Sequence, residues 1–223
     1  MTKHQYLVTG IISLLAFILL LILFYLDGLT EPTFGEAVTR TAYQSAIERE
    51  NFIALMRTNY AIDSFFIFCW IGAWAGIYSH FRRENLRLVA VYFALGILGA
   101  LMDLLENTIG FSLVLGMWES SSDLPFFHSV VREFSYWLPM AGVFILALLM
   151  RGFTGFPTVF FRLVGIVGVG IAAIGMYIPA LKYVPSAWFA ILFLAKALYL
   201  LDIYKNQRST HQPRNACRPS SDT

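Results

Sequence analysis

Residues 6–26 read YLVTGIISLLAFILLLILFYL, a run without one charged side chain. A helix that crosses the hydrocarbon core of a bilayer needs about 20 residues of this kind. Five more runs of similar length follow, at roughly 60–80, 88–109, 128–150, 158–180 and 185–204. In lipid each run has to satisfy its own backbone N–H and C=O groups, and for a single apolar segment a helix is the way to do so. The sequence therefore predicts an all-α membrane protein, a bundle of six transmembrane helices plus one outer amphipathic surface helix. Composition agrees. The chain is 58% hydrophobic and 13% charged, whereas a soluble domain is about 45–50% apolar and about 25% charged. No polar block is large enough to fold by itself, so residues 1–204 read as a single transmembrane helical domain. The first run is too long for the apolar core of a cleaved signal peptide, about 7–15 residues, and reads as a retained signal anchor.

Lys and Arg set the expected orientation. With the N-terminus inside, the inner segments carry Lys3, Arg82, Arg83, Arg87, Arg151, Arg162, Lys205, Arg208, Arg214 and Arg218. The outer segments carry only Arg40, Arg49, Arg57 and Lys182. The expected location is a cell (inner) membrane, multi-pass, with both termini cytoplasmic. Tyr6, Tyr25, Tyr60, Trp137 and Tyr204 fall near span ends and suit interfacial aromatic belts.

Two polar pieces remain. Residues 27–58 open with DGLTEP, a turn signal. Thr33 and Glu36 then form a capping box, and Phe34, Val38, Ala42, Ala46, Phe52, Ile53 and Met56 recur at helical spacing. This predicts an amphipathic helix over about 30–56, lying on the outer surface. Residues 205–223, KNQRSTHQPRNACRPSSDT, lack apolar periodicity and read as a disordered cytoplasmic tail. In the fifth run, Gly165, Gly168, Ala172 and Gly175 share one helix face, where small residues let helices approach closely in lipid.

The third run holds the most informative polar residues. Tyr92, Gly96, Gly99, Asp103, Glu106, Asn107 and Gly110 form one stripe at i+3 and i+4 spacing. A charge facing lipid at the bilayer centre costs at least about 2.5–3.5 kcal/mol, so this stripe should face the bundle interior. Asn107 and Gly110 favour helix ends, which predicts that the helix stops near them. Asp63 near the outer end of the second run, and His128, Arg132 and Glu133 near the outer end of the fourth, fall at the same level. The predicted polar intramembrane site is thus Asp63, Asp103, Glu106, Asn107, His128, Arg132 and Glu133. Two carboxylates one turn apart repel unless a proton or a cation sits between them. Arg132 is the natural counter-charge.

Lys196, in the sixth run, is a secondary candidate, and the bland reading is that its stem snorkels to the inner interface. A metal centre is not expected: no H-x-x-x-H or C-x-x-C occurs, and of His4, His80, His128 and His211 only His128 lies at the level of the acids. Cys69 and Cys217 are too unlike in setting for a structural disulfide. No cofactor is implied. The net charge of +2 is too small and scattered for nucleic acid. The partners that remain are the lipid bilayer, a small ion or solute at the polar site, and further membrane subunits.

The D-x-x-E-N of the third run (Asp103, Glu106, Asn107) and the Y-x-x-D-x-x-F of the second (Tyr60, Asp63, Phe66) resemble a pattern in uncharacterised bacterial integral membrane proteins. The likeness covers two runs. It implies a multi-pass bacterial protein and carries no activity. Three function classes stay open: a protein that binds or moves a proton, cation or small solute, a structural or accessory membrane subunit, and an intramembrane enzyme acting on a lipid-like substrate.

Overall fold

A computed structural model of the chain describes residues 1–30, 52–83, 85–114, 123–150, 155–178, 181 and 183–209. Among them every regular element is a helix. The six long helices are α1 (Lys3–Thr30), α2 (Phe52–Phe81), α3 (Leu86–Val114), α4 (Leu124–Leu149), α5 (Phe156–Gly175) and α6 (Val184–Ser209). All six are long and apolar enough to cross a membrane. Each packs on its neighbours in sequence, and α6 returns to α1, so the helices close a ring. Large side chains fill the middle: Trp70, Trp74, Tyr92, Phe193 and Ile77 are all fully buried.

The register of the ring follows from side-chain pairs. On α2 and α3, Tyr60 meets Gly110, Trp74 meets Gly96 and Asp63 bonds Asn107. The numbers rise on one helix as they fall on the other, so the two are antiparallel. On α2 and α6, Trp70 lies 5.2 Å from Phe189, Trp74 lies 5.9 Å from Phe193, and His80 bonds Tyr199. These numbers rise together, so the two helices are parallel. The start of α1 and the last turns of α6 lie at the same end of the bundle: Lys3 Nζ lies 5.4 Å from the centre of the Tyr204 ring. The acids lie at the opposite end.

Several expectations need correction. DGLT is no turn, because residues 27–30 continue α1. Residues 52–58 belong to α2 and not to a surface helix. The remainder of the expected surface helix lies outside the described residues, as does most of the expected tail. The third helix does not stop at Asn107–Gly110 but runs on to Val114. Asn107 spends its side chain on Asp63 rather than on a helix end. Gly110 is small for a packing reason, since a Cβ there would strike the Tyr60 hydroxyl. Tyr6 is not a belt residue. It is buried and bonds His80.

The small-residue face of α5 packs as its spacing suggested. Gly165 faces Ala147 and Val143 of α4, Gly168 faces Trp188 of α6, and Ala172 is buried. Residues Val164–Gly168 form a π-helical turn. Such a turn loosens the regular i→i−4 ladder. The Trp188 indole donates to the Val164 carbonyl at 3.0 Å, holding this stretch of α5 against α6.

Candidate functional site

The polar cluster is built by α2, α3 and α4 at the end of the bundle away from the termini. Asn107 Nδ2 donates to Asp63 Oδ2 at 2.6 Å, and Asn107 is buried. This joins α3 to α2. Arg132 Nε lies 4.0 Å from Glu106 Oε1, with the two side chains 41% and 18% exposed. Ser135 Oγ donates to Glu106 Oε2 at 3.4 Å and, more closely, to the Arg132 carbonyl at 2.8 Å. These contacts join α3 to α4. His128 is buried and points toward Gly110, near the Tyr60 hydroxyl. Tyr136 and Ser186 share a hydrogen bond of 2.9 Å, which ties α6 to the edge of the cluster.

Asp103 is half-buried on the same stripe. Its acidic neighbours are Glu106, one turn on, and Asp63, which the bond to Asn107 holds beside α3. The i, i+3 spacing on α3 supplies one neighbour. The α2–α3 pairing, fixed by Asn107 and Asp63, supplies the other. Arg132 instead engages Glu106, from a half-exposed position.

The structure thus brings together six of the seven predicted site residues, Asp63, Asp103, Glu106, Asn107, His128 and Arg132. Glu133 lies exposed on α4. Sequence reasoning missed Ser135, whose position one turn after Arg132 carried the only signal. Among the described residues, no group of three His, Cys, Asp or Glu side chains could hold a metal ion.

Lys196 does not snorkel. It is completely buried, and its Nζ sits 2.7 Å from the centre of the Trp74 ring, 5.1 Å from that of Phe193 and 5.9 Å from that of Tyr92. The reason lies in helix geometry, because Cα–Cβ bonds tilt toward a helix N-terminus. On α6 that direction leads away from the nearer bundle end and up to Trp74.

A third polar group escaped the sequence entirely. At the termini end, the Tyr6 hydroxyl lies 2.8 Å from His80 Nδ1, and His80 Nε2 lies 2.9 Å from the Tyr199 hydroxyl. One imidazole therefore bridges α1, α2 and α6. Its partners are 74 and 119 residues away in sequence, beyond the reach of any local pattern.

No family model, curated protein or solved structure matches the chain.

Proposed function

We propose that this chain is a multi-pass membrane protein that binds a proton at Asp103, in the outward-facing half of the bundle. One observation carries the reading: Asp103 lies one turn from Glu106 on α3, and the Asn107–Asp63 hydrogen bond brings a further acid beside the same stretch of that helix. Acids so gathered hold their charges together only with a proton or a cation among them. A metal cation needs several ligands around it, and the described residues offer no such set. A proton needs one oxygen. On this reading the membrane is a cell (inner) membrane with both termini cytoplasmic, supported by the ten-to-four excess of Lys and Arg on the proposed inner segments.

Infrared spectra of the purified protein in nanodiscs test the site. The protonated carboxyl band of the wild type should vanish in Asp103→Asn and survive in Glu133→Gln. A spectrum unchanged by Asp103→Asn would overturn the reading. Labelling from either side of intact cells tests the orientation. A cysteine at Ser45 should react from outside, and the native Cys217 only after permeabilisation. The reverse pattern inverts the topology.

A second reading has its own support. The Asn107–Asp63 and Glu106–Arg132 contacts join three helices, so the cluster also serves as a clamp. A protein for which this is the whole role would fold and assemble normally with Asp103→Asn and show no carboxyl band to lose.

A further inference from the structure

Away from the acids, at the end of the bundle where α1 begins, α3 starts and α4 finishes. The two helices are antiparallel: a Cβ on Gly99 would meet Pro139, and one on Gly142 would meet Leu95 and the Tyr92 carbonyl. The same register sets Leu88, near the start of α3, beside Ile145, Leu148 and Leu149, near the end of α4. These four side chains line a cleft of about 410 Å³. Leu88 and Leu148 are 41% and 39% exposed, whereas Val89 and Leu146, their neighbours along the chain or the helix, are buried. The cleft therefore opens sideways, away from the bundle interior and onto the face that meets lipid. Ile145 precedes Leu149 by four residues, about 6 Å along α4, so the cleft runs at least one helical turn inward from the bundle end.

Its mouth is basic. Arg82 and Arg83 follow the last residue of α2, and Arg87 stands in the first turn of α3, next to Leu88. All three are exposed, and none forms an ion pair with an acid among the described residues. Asn85 Oδ1 accepts from the Leu88 amide at 3.2 Å, which fixes the start of α3 and the place of Arg87 on it. Cα–Cβ bonds tilt toward a helix N-terminus, so the Arg87 stem leads out of the apolar layer toward the headgroups. The sequence adds Arg151, two residues beyond Leu149, and one acid, Glu84, both outside the described residues.

We propose that this cleft binds one anionic phospholipid from the leaflet at this end of the bundle. The upper part of an acyl chain lies along Leu88, Ile145, Leu148 and Leu149, and the anionic headgroup meets Arg87, with Arg82 and Arg83 in the same turn. The two features act differently. Lipid tails are as apolar as leucine, so a chain gains little by leaving the bilayer for the cleft. The cleft fixes where the lipid sits. The arginines choose which lipid, because each basic residue near the surface favours an anionic headgroup about fivefold. A packing helix would fill the cleft and leave three guanidiniums without a counter-charge, whereas an anionic lipid satisfies both. The site stands at the opposite end from Asp103 and is independent of proton binding there.

Native mass spectrometry of the full-length protein reads the choice, after equilibration with equal amounts of phosphatidylglycerol and phosphatidylethanolamine that carry the same chains. Wild type should retain phosphatidylglycerol in preference. Arg87→Gln, an exposed change, should lower that preference about fivefold. Lys205→Gln, across the ring on α6, should leave it unchanged. Equal retention of the two lipids by wild type would overturn the proposal, as would an equal loss in both variants or a loss in neither. Phosphatidylglycerol with a photoreactive diazirine on an acyl chain reads the place. Its adducts should map to residues 86–92 and 142–149 and fall away in Leu148→Trp, which fills the cleft. Adducts spread over all six helices would show bulk lipid only. A dimer mass without bound phosphatidylglycerol would assign the cleft to a second copy of the chain, and either result would overturn the lipid site.

Discussion

The two polar regions of the bundle are built on opposite plans. At the acid end, Asp63, Asn107, Glu106, Arg132 and Ser135 meet one another through hydrogen bonds and an ion pair, and several stay half-exposed. In the middle, Lys196 is sealed among aromatic rings and has no hydrogen-bond partner among the described residues. Charge near a bundle end can be shared with polar neighbours and headgroups. Charge at the centre has only ring faces to rest on. A cation over a desolvated ring gains about 2 kcal/mol, whereas a lysine in the core of a membrane costs about 2.5–3.5 kcal/mol. The central lysine is therefore a net burden on stability, and the acid end is held by its own bonds.

The strongest way to break this comparison is Trp74→Ala. The indole is completely buried, touches Gly96, supports Lys196 and stacks on Tyr92 at 5.4 Å. Losing a buried aromatic ring of this size costs about 3–5 kcal/mol. Thermal unfolding in detergent should show the largest drop of any variant discussed. A melting temperature near wild type would mean that the centre is not packed around this ring.

Asn107→Leu comes next. It removes the 2.6 Å donor to Asp63 Oδ2, and losing a hydrogen bond to a charged group costs about 1.5–3 kcal/mol. Asn107→Asp should be worse than Asn107→Leu, because it adds a fourth acid beside Asp63, Asp103 and Glu106. Chemical unfolding in mild detergent orders the two, and the opposite order would deny the crowding of negative charge on which the proton site depends.

How much of this was legible beforehand follows the range of each signal. Apolar runs are local, so the six helices could be read from the chain. The stripe Asp103, Glu106, Asn107 obeys the helix period, and its inward face was legible for the same reason. What the period cannot encode is the partner. The bridge from Tyr6 through His80 to Tyr199 joins three distant helices. The same chemistry misled at Asn107 and Gly110, where residue types common at helix ends serve interhelical contacts instead. At Lys196 the stem length permitted snorkelling, but the direction of Cβ on α6 sent it inward.

A smaller effect of opposite sign is expected at the centre. Lys196→Met keeps the length of the side chain and removes the charge. The difference between the membrane cost of lysine and its gain over the ring is about 1 kcal/mol. Lys196→Met should therefore melt slightly higher than wild type. A clear destabilisation would show that the ammonium is held by more than the rings, and would remove the contrast between the two regions.

The smallest effect falls on the ion pair that the sequence made prominent. Removing one partner of a fully buried pair costs about 3–5 kcal/mol, which is what an Arg132 buried against Asp103 and Glu106 would entail. The observed pair is different. Its N–O distance is 4.0 Å, and the Arg132 side chain is 41% exposed. Exposed pairs contribute about 0–1 kcal/mol, and Ser135 still donates to Glu106 when the arginine is gone. Arg132→Leu should thus cost at most about 1 kcal/mol. In a double-mutant cycle with Glu106→Gln, the coupling between the two positions should fall in that same range. A loss as large as that of Trp74→Ala would mean that Arg132 neutralises the whole acid group. Asp103 would then have a counter-charge and no need of a proton.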